Sequence, residues 1–381
     1  MDVQHCYAVH SNIGIEYNQP ASMDAEILID FEEFWARLSE DIRTARESVF
    51  VQTLACEGDA IGKLLGSSLL AAPAADKRIL ADSFTKIVLS DKFRFSPGNF
   101  ANAELRREAR ETANLFQEMK NGGVQLKFTN PYGITPRSIL SRNHKKLILL
   151  DDRVAYIGGM NFSEHNAAWH DMMLRITDAA AVAFLREDFL STWGGQDRKS
   201  RAEFEGMELY SLDGRANGEA FGRVLNLIDA AHHSIFVESP YITFPFYERL
   251  RNAAGRRVAV TIVTPQHNNW GFFSEYARLE STRSEIDLRF YQGRMSHLKA
   301  MLIDDEYLIA GSSNFDYLSY RMYQETVAVI TDSRVIAEFR ERVMIPDRAN
   351  ATSVQCKASL AALNWLRFKV KVLDTALTIL T

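Results

Sequence analysis

Two histidines in this 381-residue chain each have a lysine two positions on, His144 with Lys146 and His297 with Lys299. From His144, Asp151 lies at +7, Gly158 and Gly159 at +14 and +15, Asn161 at +17 and Asp171 at +27. From His297, Asp304 lies at +7, Gly311 and Ser312 at +14 and +15, Asn314 at +17 and Glu325 at +28. Side chains two apart on an extended strand share a face, so each copy presents an imidazole and an ammonium on one surface. The asparagine returns to that surface after a strand and a glycine-bearing turn. If the halves pack about a pseudo-twofold axis, two His, two Lys and two Asn meet. Crowded lysines lower one another's proton affinity, so the cluster calls for an anion, and phosphate fits. One imidazole then attacks phosphorus to give a phosphohistidine, while the other protonates the departing oxygen and later takes a proton back. Ammonium and amide groups stabilise the pentacoordinate charge in place of a metal; neither a metal nor a cofactor is expected.

An imidazole nucleophile needs its tautomer fixed. Each half supplies an acid at the head of a following strand, Asp171 in WHDMMLRI and Glu325 in YQETVAVI. A carboxylate accepting from one ring nitrogen frees the other to attack or donate. Asp151 and Asp304 follow apolar strand residues where a turn is expected, and read as structural turn residues that do not touch substrate.

The flanks repeat too, so the duplicated unit is a domain. SVFVQTL (48–54), KRILAD (77–82), VQLKFTN (124–130), KLILLDD, VAYIGG and MMLRIT alternate with helical stretches. SIFVESP (234–240), VAVTIVTP (258–265), DLRFYQ (287–292), AMLIDD, YLIAGS and ETVAVIT follow in the same order. Amphipathic helices are expected in DAIGKLLGSSLLAA and FPFYERLRNAA, between the first two strands of each half. This alternation predicts an α/β fold of two halves, each a layered sandwich with a mixed, largely parallel sheet. The divisions are 1–200, 201–346 and a C-terminal amphipathic helix over 347–381, with the first boundary near the polar, Gly-bearing 194–206. Residues 90–112 read as a polar surface insertion of the first half.

A net charge of −5 and 46% hydrophobic residues describe an ordinary globular chain without a field that draws nucleic acid. Cys6, Cys56 and Cys356 share no metal-ligand spacing. The start lacks a signal-peptide pattern and no run of eighteen apolar residues occurs, which predicts a cytoplasmic protein without a transmembrane span.

The doubled H-x-K-x4-D with its following G-G/S-x-N resembles the phospholipase D superfamily over roughly residues 40–345. That resemblance implies two facing α/β/α sandwich halves related by a pseudo-twofold, a covalent phosphohistidine, and phosphodiester chemistry without metal. By analogy within the family, His144 is the nucleophile and His297 the acid/base. RNHKKLILLDDRVAYIGGMNFSEH, AWHDMMLRI and ESPYITFP are similar to the bacterial cardiolipin synthases, which usually begin with membrane-spanning segments and commonly carry arginine where His170 stands here. The latter difference clouds the headgroup specificity.

A phospholipid substrate such as phosphatidylglycerol must be held at a membrane surface. The tail places Leu363, Leu366, Val370, Leu373, Leu377 and Leu380 on one helical stripe, broadened by Trp365, Phe368, Val372 and Ile379 and flanked by Lys357, Arg367, Lys369 and Lys371. Such a helix docks on its own domain or pairs with a second subunit, the reading placed first because an apolar chain end usually covers something; the other reading is an interfacial helix on anionic lipid. Trp270, Phe272 and Phe273 either wall an acyl-chain pocket or seal the core. Gly159 and Ser312 are expected at the substrate. Arg137, Arg142, Arg283, Arg289 and Arg294 either steer headgroups or are solvated. The resulting expectation is a phosphatidyltransferase, peripheral on the inner face of the membrane. Its alternatives are a phospholipase D, a superfamily nuclease or phosphodiesterase, and an inactive phospholipid-binding protein.

Overall fold

Continuous apolar runs such as Leu147–Leu150 and Ala300–Ile303 are buried on both faces, as central strands must be. They organise two sheets in a computed structural model that describes residues 24–282, 284–353 and 360–380. Cys6, Arg283, Cys356 and Lys357 lie outside the described residues, as do the side chains of Leu373, Leu377, Ile379 and Leu380. The first sheet runs, in spatial order, Ala25–Ile29, Met172–Ile176, Val154–Gly158, Leu147–Leu150, Ser48–Thr53, Asp76–Asp82, Gln125–Thr129. The second runs Ser200–Phe204, Met207–Asp213, Gln324–Ile330, Tyr307–Gly311, Ala300–Ile303, Ser234–Glu238, Ala259–Pro265, Asp287–Tyr291, Ala351–Ser353. Six consecutive strands of each, from the acid-bearing strand outward, correspond in order and direction.

The sheets are mixed, but the expectation of largely parallel strands does not hold. Only the pairs 48–53/76–82 and 76–82/125–129 of the first sheet, and 234–238/259–265 and 259–265/287–291 of the second, are parallel. A tight turn such as 151–153 can only reverse the chain, whereas parallel neighbours need a helical crossover. Half of the supposed insertion is such a crossover. Ala103–Asn121 is a helix that occupies the place Gly271–Ser281 has in the second half, burying Leu105, Leu115, Phe116 and Met119. What is additional in the first half is the stretch before it, with the small hairpin Val88–Leu89/Lys92–Phe93.

Helices Asp30–Thr44, Ala60–Ala71 and Ala103–Asn121 cover the outer face of the first sheet, and Asn217–Ala230, Phe246–Gly255 and Gly271–Ser281 that of the second. A third core, holding Phe50, Leu147 and Ile157 with Phe236, Leu302 and Ala328, joins the two inner faces around helices Ala179–Trp193 and Ser333–Phe339. Lys145, which points away from its neighbours His144 and Lys146, pins this seam: its Nζ lies 2.7 Å from Asp188 Oδ1 and 2.7 Å from Ser211 Oγ.

The segment after residue 346 is not all helix. Ala351–Ser353 adds an edge strand to the second sheet beside Asp287–Tyr291 because its backbone finds open partners there, and the terminal helix spans Leu360–Leu380. Its Leu363, Leu366 and Val370 are buried in the second half's core, and Arg367 pairs with the buried Glu280. The opposite face leaves Trp365 and Phe368 each 58% exposed and stacked on one another, with Lys369 over the tryptophan ring.

Asp151 and Asp304 both sit at positive φ, 50° and 52°, at the turn after the motif strand. Asp151 accepts from the amides of Arg46, Glu47 and Ser48, and Asp304 from those of His232, His233 and Ser234. Each carboxylate thus caps the entry of the neighbouring strand and fixes its register. Asp151→Ala would strand these amides, at about 1–3 kcal/mol for each buried one. A loss of about 2–4 kcal/mol in urea unfolding is expected, with Asp151→Asn milder; an unchanged urea midpoint would contradict this role.

Candidate active site

The motif segments meet by pairing across the two halves. Asn143 forms a parallel bridge with Gln324, His144 N donates to Gln324 O at 2.9 Å, and Gln324 N donates to Arg142 O. The second motif repeats this: Ser296 bridges His170, and His297 N donates to His170 O at 2.7 Å. The residue preceding each histidine therefore lies against the residue preceding the other half's acid. As a result His144 Nδ1 lies 3.0 Å from Glu325 Oε1, and His297 Nδ1 lies 2.7 Å from Asp171 Oδ2. The carboxylates are exchanged between halves.

Both acids are held in turn. Glu325 accepts from Ser312 and Ser319, and Asp171 Oδ1 from the Met172 amide at 2.8 Å. A Cβ on Gly159 would stand 2.1 Å from Asp171 Oδ1. Gly159 and Ser312 are thus placed against the acids and outside the cavity lining, because the strand ends they occupy face the carboxylates. Lys299 Nζ lies 2.7 Å from His297 Nδ1, but one ring nitrogen cannot donate to Asp171 and accept from Lys299. The carboxylate fixes the Nδ1–H tautomer, and Lys299 donates to the His297 carbonyl. Lys146 likewise donates to the His144 carbonyl at 2.8 Å.

Electrostatics follow from burial. Burial pushes Lys146 down to about 7 and Lys299 to about 8, despite Glu325 and Asp171 nearby. Burial also lowers both histidines, with Lys299 adding to it at His297, which falls to about 3. Burial would raise the two acids, but Lys299 and His297 around Asp171, and His144 and Lys146 around Glu325, outweigh it and hold both below the ordinary range. Neutral imidazoles beside buried carboxylates and buried lysine amines form a site that gains when an anion enters.

His144 and His297 line one cavity of about 370 Å³, together with Asn161, Asn314 and Arg142. Asn161 Nδ2 is engaged by Asn166 at 2.7 Å, whereas the buried Asn314 Oδ1 has no partner. Arg142 is held by Asp82 at 3.1 Å. Arg289 pairs with Asp287 and Arg294 with Asp30, outside the cavity lining. Trp270, Phe272 and Phe273 all reach the cavity; Phe273 is buried against Tyr241, ring centroids 4.6 Å apart, and Trp270 is exposed. Two walls escaped the sequence reading. Trp169 lies 4.7 Å from the His297 ring and Tyr323 5.5 Å from the His144 ring. Each is an aromatic two residues before an acid, a repeat visible in the sequence. Glu57, His165 and Asp316 also line the cavity, and their wall positions arise only from tertiary packing.

His170 does not line the cavity; it lies at the interface between the halves, bridged to Ser296. Its Nδ1 lies 2.7 Å from Asp30 and its Nε2 2.9 Å from Asp347. Burial alone would lower it, but those two carboxylates raise it to about 10; it is an imidazolium doing what a guanidinium would do. His170, Glu238 and Asp347 are the one described grouping close enough to take a metal ion, yet both His170 nitrogens already face carboxylates and burial with Asp347 nearby keeps Glu238 well above the usual range. These protons account for the cluster.

With this geometry in hand, the comparisons are consistent. The family model for "Cardiolipin synthase, PLD-like domain" matches residues 38–193 and 224–344, and the chain belongs to that family. It is 25% identical to a cardiolipin synthase of Staphylococcus aureus strain Mu50, covering 93% of this chain and 74% of the relative. It is 26% identical to cardiolipin synthase A of Pseudomonas entomophila over 89% of this chain and 71% of that one. The crystal structure of phosphatidylserine synthase from Haemophilus influenzae Rd KW20 superposes with a TM-score of 0.67 at 14% identity, covering 93% and 94% of the two chains, a likeness of fold.

A raised histidine stabilises the fold fully below its unfolded value of 6.5 and loses that contribution as pH climbs toward about 10. His170→Arg keeps the positive charge throughout. Its thermal midpoint should therefore fall less than the wild type's between pH 7 and 9; parallel profiles would reject the imidazolium.

Proposed function

We propose that the protein is a phospholipid phosphatidyltransferase of cardiolipin synthase type, acting through a phosphohistidine. The observation that carries this is the crossed pairing: two imidazoles, each with Nδ1 occupied by the other half's carboxylate, bordering one cavity. Nε2 of neutral His144 attacks the donor phosphorus. As the phosphorus–oxygen bond to the headgroup alcohol breaks, His297, protonated once the anionic phosphate has arrived, gives that oxygen a proton. A second lipid's hydroxyl then loses a proton to His297 and displaces His144. Lys146, Lys299 and Asn314 supply positive potential and amide contacts to the phosphoryl oxygens. Apolar side chains, Tyr241, Phe272, Phe273, Tyr317 and Leu318 among them, supply a dry wall for acyl chains.

The test is incubation with phosphatidylglycerol and mass spectrometry of the lipids. Cardiolipin with free glycerol is expected; phosphatidic acid alone would make it a hydrolase, metal-independent cleavage of single-stranded DNA without lipid products a nuclease, and lipid binding without turnover a receptor. The trapped adduct is expected on His144; one on His297 alone reverses the assignment.

Among the described residues no helix is long and apolar enough to cross a membrane, and membrane contact is assigned to the outward face of the terminal helix. Trp365→Ser with Phe368→Ser should weaken binding to phosphatidylglycerol vesicles at least tenfold with little change in thermal midpoint. Loss of a dimer in sedimentation, with vesicle binding intact, would assign that face to a second subunit.

A further inference from the structure

The duplication makes the cavity's two walls comparable residue by residue, and they are chemically unlike. Cys56 bridges Phe162 in the first half as Ile242 bridges Phe315 in the second. One residue on, Glu57 corresponds to Thr243; three residues beyond the phenylalanines, His165 corresponds to Leu318. The second-half wall is the mostly apolar one described above, its one described carboxyl, Asp316, being taken up in capping the Ser319 amide. The first-half wall carries Glu57, His165 and Asp91. Glu57 is only 5% exposed, yet its sole described hydrogen-bond donor is the Ser90 amide, 3.2 Å from one carboxyl oxygen and 3.4 Å from the other. A buried carboxyl sharing one long bond has acceptor capacity to spare. His165 Nε2 lies 3.6 Å from Asp91, which belongs to the hairpin that the second half lacks.

The same two residues also line a second cavity of about 600 Å³, whose other described walls carry five carboxylates, Asp59, Glu104, Glu108, Glu111 and Glu164, against two cations, Lys63 and Arg107, that pair with Glu111 and Glu104. Glu57 and His165 therefore separate the reaction cavity from a polar chamber whose lining is acidic on balance. Lipid tails have no reason to enter that chamber, and a headgroup bearing a carboxylate or a second phosphate would meet repulsion there. A neutral polyol would find carboxyl acceptors and an imidazole.

Building on the transferase reading, we propose that Glu57, with His165 and Asp91, forms the headgroup-alcohol subsite, and that it takes a neutral polyol of the glycerol class. The departing alcohol is held here while its oxygen is protonated, and leaves through the acidic chamber.

The experiment compares two donors, phosphatidylglycerol and phosphatidyl-p-nitrophenol, whose aryl leaving group offers no hydroxyls to the wall. Glu57→Gln should lower kcat/KM for phosphatidylglycerol at least tenfold more than for the aryl ester. Equal losses on both donors, or none on either, would overturn the subsite. Should Glu57→Gln fail to fold, Asp91→Asn on the hairpin reads the same ratio, with at least a threefold bias expected and an unbiased ratio overturning it. A wild-type protein that turns over neither donor would instead sink the transferase reading beneath it.

Discussion

The exchange of carboxylates between the halves is the constraint that the remaining structure serves. An imidazole is useful at phosphorus only when one nitrogen is committed and the other exposed. Here the committing group always comes from the opposite sheet. The backbone bridges at Asn143–Gln324 and Ser296–His170 set the spacing, and the shared inner core keeps the sheets from sliding. Lys145 and Asp188 form a buried ion pair within the first half, and both reach across the seam to Ser211 of the second.

Behind the two bridges the backing differs. Under the first, Gln52 donates to Asn143 at 2.9 Å and Asn130 to Gln324 at 3.2 Å, while Asp82, paired with Arg142, accepts from the Asn143 amide at 2.7 Å. Under the second, Glu238 accepts from Ser296 and His170 stands between two carboxylates. One side of the duplication rests on amides gathered around a buried Asp82–Arg142 pair, the other on a histidine between carboxylates. The duplication thus survives in the crossed histidine–carboxylate pairs and is given up in their support, where each half meets different neighbours.

Much of this was legible in the sequence. The twelve strand segments were visible because they are short, apolar, β-branched runs separated by turn residues, and the repeat needed only counting. The partners of the acids were not visible: Asp171 lies 27 residues from His144 in sequence, but only the twofold decides which ring it reaches. Residues 103–112 misled because the helix they begin is charged on most of its surface and shows few apolar positions until Leu115 and Phe116. The walls at Glu57 and His165 carry no local signal, being ordinary turn and helix residues until the hairpin closes over them. Gly159 and Ser312 sit at strand ends, and a strand end does not announce in sequence whether it faces a ligand or a carboxylate.

The crossed arrangement also bears on biosynthesis. His144 leaves the ribosome with its surrounding strands well before Glu325, 181 positions later, exists as polypeptide. A nascent first half can collapse and acquire its sheet, since domains fold as units during synthesis, but it carries an imidazole without its counterpart and Asp171 without a ring to hold. Competence therefore arrives late and all at once, so that a truncated translation product, however well folded, is chemically silent toward lipid.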